Sequence, residues 1–440
     1  MSSPLVAARP GGDDILPAHA TQPTLIHRFG ADPHDETAPA LWLSEGLSNA
    51  WQVTTPTERM IVNTGMGFEG PVHRRCFDQV SGAPVRYIAF TQGHVDHVGG
   101  TDCFTEASTD ILAQAANLRC QADDARIHRF RVKRSMIFWA DAVAKADAFL
   151  RQQPADPAAR PTTQATPTPT VTFDDHLSLQ LGDLSFELHS LAGGETVDSL
   201  AVWFPTDRVA IVGNAFSALF GHVPNLTTVR GDRPRDPLAF IEMCDRVLAL
   251  EPELLCVGHF APITGAATIR SEVTRIRDAM RWLHDAVVDG MNRGRTVDQL
   301  AEDLRWPDDL SLGEGYGTLR WAVRAIWQGY AGWFEFRSTT ELHGIPADSV
   351  WSDLVRLAGA DAIVTTAREH LAADRPLPAL HLLEPVLSTE PSHRGALEAE
   401  IDAHQHLLDG DAGTNFWEAG WLRHRISESR RNIAALETRR

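Results

Sequence analysis

Lysine is almost absent from this chain: Lys133 and Lys145 are the only two, and every other basic side chain is arginine. Basic residues as a class are also outnumbered, 40 Lys and Arg against 58 Asp and Glu, for a formal net charge of −18. So acidic a surface repels phosphate backbones, which argues against a nucleic-acid partner. Cysteine is scarce. Cys76, Cys103, Cys120, Cys244 and Cys256 are odd in number and show no CxxC spacing. Neither a disulfide framework nor a zinc ribbon is indicated, and buried thiols in a reducing compartment are expected. No apolar run reaches the roughly 20 residues a membrane span needs. The opening MSSPLVAARPGGDD has no basic region followed by an apolar one, so no signal peptide is expected. These absences lead to the expectation of a cytoplasmic protein with neither a membrane nor a nucleic-acid partner.

What is present suffices for two or three domains: 440 residues, 43% of them hydrophobic. Residues 1–22, rich in Pro, Gly and Ala, predict a loose arm. From Thr24 to Thr91, short apolar runs bounded by Gly, Pro and Asn predict strands: LIHRF, AWQVTT, RMIVNTG and VRYIAFT. A helical interval is expected over 109–152. The Pro/Thr-rich stretch Pro154–Thr170 then reads as a linker or lid that forms no regular element. Strand patterns resume with LSLQL, LSFELHSL, LAVWFP and VAIVG, followed by a helix over Pro237–Leu250 and a strand over Leu254–Gly258. After Gly265 almost everything has helical period. Within it, the segment from AREHL to HQHLL is similar to helix–turn–helix repeat packing. The expected layout is an α/β domain over 23–267 and an all-α domain over 268–440.

The chemistry concentrates at strand ends. In TQGHVDHVGG, just after VRYIAF, His94 and Asp96 lie two apart and His97 follows directly. A strand end closed by a tight glycine turn can aim several side chains at one point, and this donor set suits Zn, Fe or Mn. Glu195 follows a strand and a Gly-Gly turn in LAGGETVDS, Asn214 follows VAIVG, and His259 follows LLCVG, with Gly258 and Pro262 shaping its loop. In a sheet-based sandwich such ends converge on one rim.

This order and spacing resemble the metallo-β-lactamase superfamily. Its loop reads HxHxDH, then a His or Glu after a GG or PG turn, a bridging Asp or Glu, and a final GH. Glu195, NLTTVRG (Asn225–Gly231) and GHFAPITG resemble the alkyl sulfatase branch more narrowly, and LHDAVVDGM through GYAGWF resembles that branch's dimerisation domain. The resemblance covers roughly 25–440. It implies an αββα sandwich followed by a helical dimerisation domain, and a homodimer. By the resemblance Gln92, His94 and Glu195 hold one divalent metal and Asp96, His97 and His259 the other, with Asn214 at the bridging position. Asp96 and Asn214 are the catalytic candidates, and a hydroxide between the metals is the implied nucleophile. Zinc is expected first, with iron or manganese as alternatives.

Two positions depart from the family pattern. Gln92 is neutral where the loop carries histidine, and Asn214 is neutral where the sulfatases carry a glutamate. The ligand set keeps two carboxylates, Asp96 and Glu195, so the Gln92 side is expected to be the weaker site, and preference shifts away from zinc. Asn225, Thr228 and Arg230 match the sulfate-binding group of the branch, where an arginine fork and small donors can cradle an anion. Trp321 stands where the family tends to carry histidine and is a candidate pocket wall, as are Trp139, Trp327 and Trp333. No lipid-carrier-like segment is recognised, so a compact organic molecule is expected rather than a long-chain one. The leading expectation is a metal-dependent hydrolase of a small organic ester, with sulfate esters among the candidates. An Fe- or Mn-dependent redox enzyme on the same fold is the alternative, and a non-enzymatic dimeric scaffold the third.

Overall fold

The computed structural model describes residues 19–30, 32, 34–152 and 163–438. Most of the expected N-terminal arm, and 154–162 of the Pro/Thr stretch, lie outside them. Seven strands form one sheet in chain order: β1 (Thr24–Arg28), β2 (Ala40–Ser44), β3 (Ala50–Thr54), β4 (Arg59–Val62), β5 (Val85–Ala89), β6 (Asp110–Gln114) and β7 (Val171–Phe173). The pairs from β1 to β4 are antiparallel and those from β4 to β7 parallel. A six-stranded sheet follows, from β8 (His176–Leu181) through β9 (Leu184–Ser190), β10 (Leu200–Phe204), β11 (Val209–Gly213) and β12 (Leu254–Val257) to β13 (Ile263–Thr264). Within it only β11 and β12 run parallel.

Side-chain alternation stacks these sheets face to face. Trp51, Val53, Met60 and Val62 of the first meet Leu200, Val202, Phe204 and Ile211 of the second in one core. The intervening Ala201, Trp203, Ala210 and Val212 point outward, under helices. The first sheet's outer face is covered with help from α1 (Gly70–Asp78) and the short α2 (Val95–Val98), which supply Phe77 and Val98. The interval expected to be helical over 109–152 opens instead with strand β6, followed by α3 (Asn117–Arg126) and α4 (His128–Gln152). Parallel ladders to β5 and β7 hold Asp110–Gln114 extended, partners remote in sequence that override its local helical character.

On the second sheet lie α5 (Pro237–Leu250), α6 (Ala266–Asn292), α7 (Val297–Asp303) and α8 (Leu319–Ala331). Asp236 caps α5 by accepting from Leu238 N at 2.8 Å, and Pro237 starts its first turn. Thr296 and Gln299 form a capping box on α7. The switch from strands to helices falls between Thr264 and Ala266, but the compact unit runs on to Trp327. The reason is packing: Ile269, Val273 and Met280 of α6 and Val323 and Ile326 of α8 share one core with the outer face of the sheet.

A second compact unit joins Arg134–Ala140 to the chain from Gln328 onward. It contains α9 (Thr339–Leu342), α10 (Trp351–Ala358), α11 (Ala360–Ala372), α12 (Pro376–Thr389), α13 (Arg394–Asp409) and α14 (Phe416–Glu437). Val355, Val364, Leu383, Val386 and Ala399 form its core. Trp139, a candidate pocket wall in the sequence, packs edge-on to Phe416 at 4.8 Å inside this unit. Among the described residues no helix is long and apolar enough to cross a membrane. Cys76, Cys120, Cys244 and Cys256 are buried, and no disulfide forms among the cysteines.

Candidate metal centre

The chemistry-bearing loops gather because the strand ends are tied to one another. Leu200 N donates to Thr91 O at 2.9 Å, joining the end of β5 in one sheet to the start of β10 in the other. Thr91 N also donates to Asn63 Oδ1 at 2.9 Å. Helix α2 is pinned at His97 O, which accepts from Thr64 N at 2.8 Å and Thr64 Oγ1 at 3.1 Å. The described end of the Pro/Thr stretch forms no regular element, as expected, but it braces the same helix. Gln164 Nε2 donates to Val95 O at 2.7 Å and Ala165 N to Gly99 O at 2.9 Å. On the other sheet Gly258 N donates to Gly213 O at 2.8 Å, setting Asn214 beside the His259 loop. A Cβ on Gly258 would lie 1.8 Å from Asn214 Oδ1, so only glycine allows this approach.

Gln92, His94 and Glu195 are brought into contact. Gln92 Nε2 donates to Glu195 Oε2 at 3.0 Å and lies 2.7 Å from His94 Nδ1. His94 Nε2 lies 3.4 Å from Asp232 Oδ2, and His94 Nδ1 lies 3.7 Å from Glu195 Oε2. Burial opposes a charged imidazole here, but Asp232 and Glu195 outweigh it and raise the pKa of His94 to about 9. Burial likewise opposes ionisation of Glu195, yet Arg235 and His94 hold its carboxyl well below the usual range. His94, Asp124 and Asp232 also converge closely enough to hold an ion. There, however, Arg131 pairs with Asp124 and reaches within 3.7 Å of Asp232, so a guanidinium already supplies the positive charge.

On the other side Asp96 Oδ2 lies 3.7 Å from His97 Nε2 and accepts from Ser48 Oγ at 2.9 Å. Burial works against the Asp96 carboxylate, but His97, His94 and His259 lower its pKa to about 2. Burial depresses both His97 and His259, partly offset by Asp96, so both rings are biased to the neutral form a metal requires. Both ring nitrogens of His97 are buried without a hydrogen-bond partner, as are Gln92 Oε1 and Asn214 Oδ1. Unpaired buried acceptors are costly, and several at one rim beside a carboxylate are what a bound cation would satisfy. The residues present therefore fit a divalent metal.

The NLTTVRG loop runs along this rim. Asn225 Nδ2, Thr228 Oγ1 and Arg230 Nε are buried donors without a partner. Arg235 ties this loop to the Glu195 side of the rim by donating to Asn225 O and to Glu195 Oε1, the latter at 3.2 Å. The Gly313–Gly317 turn docks on the segment that leads into this loop. Val223 N donates to Gly313 O at 2.8 Å and Gly315 N to His222 Nδ1 at 2.9 Å. A side chain on Gly317 would meet Val223 O at 2.5 Å. The turn carries Tyr316, whose buried phenol is held protonated by burial and by the charges of Glu195 and Asp96, against the pull of Arg230 and Arg235. Trp321 is half-buried in the first turn of α8, and none of these bonds reaches it.

Ser48, Asp232, Arg235 and Tyr316 escaped the sequence reading. Asp232 and Arg235 directly follow the NLTTVRG segment, and Tyr316 lies in the GYGTLRW stretch, so proximity to matched motifs was the available signal.

Known proteins bear on this arrangement. Residues 43–259 match the model of the metallo-beta-lactamase superfamily, and residues 296–419 match that of alkyl sulfatase dimerisation. A linear primary-alkylsulfatase of Pseudomonas sp. (strain ATCC 19151) is 27% identical over 308 residues, which cover 66% of this chain and 57% of that protein. An alkyl/aryl-sulfatase of Saccharomyces cerevisiae is 23% identical over 386 residues, covering 80% of this chain and 58% of its own. The chain thus spans under three fifths of the length of these curated relatives. The solved structure of a stereoselective inverting sec-alkylsulfatase from Pseudomonas sp. superposes with a TM-score of 0.74 at 18% identity, over 92% of this chain and 66% of that one. At that identity the likeness shows the fold, an αββα sandwich followed by a helical region. With both matched segments in this order, a metallo-β-lactamase-superfamily domain over residues 43–259 is followed by an alkyl sulfatase dimerisation region over residues 296–419.

Proposed function

We propose that this protein is a metal-dependent hydrolase of a small organic ester, with sulfate esters as its substrate class. The observation that carries the reading is the row of unpaired buried donors on Asn225, Thr228 and Arg230, linked through Arg235 to Glu195, the carboxylate proposed as a metal ligand. A tetrahedral anion would satisfy all three donors at once. The names of the relatives, which are alkyl- and aryl-sulfatases, support the same class.

Asp96, His97 and His259 would hold the more strongly bound divalent cation, which supplies Lewis acidity and lowers the pKa of water at this rim. The other side is already hydrogen-bonded through the Gln92 amide, which supports one well-held metal rather than two of equal strength. Around it the chain's own groups bind and orient. Ser48 fixes Asp96 through Oδ2, and Asp232 sets the ring of His94 from its Nε2 side. Arg230 neutralises the ester's charge, and Tyr316 keeps its proton as a further donor. Zinc is the first candidate metal. The two-histidine, one-carboxylate set together with neutral Gln92 and Asn214 favours iron or manganese as a second reading, with oxygen-dependent chemistry.

The exposed aromatic and aliphatic residues of the second unit support a homodimer. Trp333 is 69% exposed, Phe336 86% and Leu357 74%. Apolar surface of this kind marks an interaction site.

The deciding experiment is metal analysis of protein purified without chelators, followed by an ester panel. Sulfate-ester hydrolysis that tracks metal content supports the proposal. If the metal-loaded protein hydrolyses no sulfate, phosphate or carboxylic ester but consumes oxygen, the redox reading replaces it.

A further inference from the structure

The outer face of the β8–β9 hairpin carries a second constellation of ligand-type side chains, apart from the rim centre. The hairpin's register pairs His176 with His189 and Ser178 with Glu187. Glu187 and His189 lie two apart on β9, so they share a face, and His176 stands opposite His189 on the same face. Glu187 Oε2 lies 2.8 Å from His189 Nε2 and 3.4 Å from His176 Nε2. The two imidazole rings lie 4.7 Å apart. One ligand atom from each of the three side chains falls within 4.8 Å of the others.

The surroundings leave this trio to itself. On β10 the residues paired with His189 and Glu187 are Ala201 and Trp203, which carry no charge. The nearby Asp175 is engaged by Arg246 at 2.6 Å. Two imidazole nitrogens and one carboxylate oxygen facing one point form a donor set for zinc, nickel or copper. His176 is 44% exposed at its side chain, so a metal could enter from solvent and complete its coordination with water.

We propose that His176, Glu187 and His189 form a separate transition-metal site that clamps the open end of the β8–β9 hairpin. The location gives the clamp its use. Among the described residues β8 is the outermost strand of its sheet, paired only with β9. His176 is its first residue, and His189 is the last but one of β9. The turn at Gly182–Asp183 closes the other end of the hairpin; at the His176 end Ser190 N donates to Asp175 O at 2.8 Å and Arg246 reaches both Asp175 Oδ1 and Ser190 O, at 2.6 and 3.3 Å, so a metal would add to an existing tie. A metal that binds the folded hairpin and not the unfolded chain shifts the equilibrium toward the folded state by mass action.

The test uses the full chain, stripped with chelator, equilibrated with zinc chloride, desalted and analysed for zinc per chain. The doubly substituted His176→Ala, His189→Ala protein is expected to retain one zinc fewer per chain than the unsubstituted protein. Its rim centre keeps its metal because none of its ligands is altered. Amide exchange along β8 is expected to slow on adding zinc to the unsubstituted protein and to stay unchanged in the variant. Should the double variant fold poorly, Glu187→Gln serves, weakening the hairpin zinc by at least the roughly tenfold that losing even an outer-shell partner costs. Equal zinc per chain in the unsubstituted protein and a folded variant, with unchanged β8 exchange, overturns the proposal.

Discussion

The side-chain amide of Gln92 donates to Glu195 Oε2 at 3.0 Å and at the same time touches His94 Nδ1 at 2.7 Å. It therefore lies among the groups that the family pattern assigns to one metal, satisfying a carboxylate that would otherwise be buried beside only His94 and Arg235. On the opposite side the two nitrogens of His97 have no such partner. This asymmetry gives the first prediction. Gln92→His is expected to raise the metal content at the rim by about one ion per chain, read by elemental analysis. Gln92→Ala strips a buried hydrogen-bond partner from Glu195 and is expected to cost the metal-free protein about 1–3 kcal/mol, read by denaturant unfolding. Unchanged metal content in Gln92→His would mean that the asymmetry does not arise at this residue.

Arg230→Ala removes the charged donor from the proposed anion cradle. Hydrogen bonds to charged groups contribute about 1.5–3 kcal/mol, so kcat/KM for a sulfate ester is expected to fall by roughly 10- to 100-fold. Metal content should not change, because Arg230 is not among the ligands. A neutral carboxylic ester, if it is turned over at all, should be far less affected.

His73 gives the stability a pH dependence. It is buried beneath Ser44, whose Oγ lies 2.8 Å from its Nδ1, and burial lowers its pKa from 6.5 to about 4, with Glu69 opposing. Above pH 6.5 the ring is neutral in both folded and unfolded chains. As pH falls from 6.5 toward 4 the unfolded chain takes up the proton and the folded one does not, so stability is lost across that window. The loss approaches about 3 kcal/mol at 1.36 kcal/mol per pKa unit. Urea unfolding at stepped pH should show this slope, and His73→Gln should flatten it.

The second unit's exposed apolar residues are expected to be covered by a second copy of the chain. Trp333→Glu combined with Phe336→Glu should shift sedimentation from dimer to monomer without unfolding, since both side chains are exposed. A protein that is already monomeric at micromolar concentration would remove the dimer from the proposal.

Much of this was legible in the sequence for local reasons. LAVWF was readable as a strand because it is a short apolar run, but being apolar and buried throughout it does not say which side chains of β10 face the inner core. The helix over Pro237–Leu250 was marked by Asp236 and Pro237 at its start, a signal contained within one turn. The ligand-type residues Asp96, His97 and His259 could be named because each follows an apolar strand. Asp110–Gln114 was not recognisable as a strand, since the ladders that hold it extended come from β5 and β7. Asp232, Arg235 and Tyr316 gave no signal of their own, because each acquires its role by meeting a residue far away in the chain.

The sequence by itself determined the kinds of donor available at the rim, the neutral charge at Gln92 and Asn214, and much of the order of strands and helices, β6 excepted. Those follow from residue identity and short-range periodicity. Tertiary structure decided the pairings: that Gln92 closes on Glu195, that Arg235 joins Asn225 to Glu195, and that α6 to α8 complete the core of the first unit. Pairings of that kind depend on which surfaces are buried against each other, and hydrogen-bond partners are chosen only once water has been excluded.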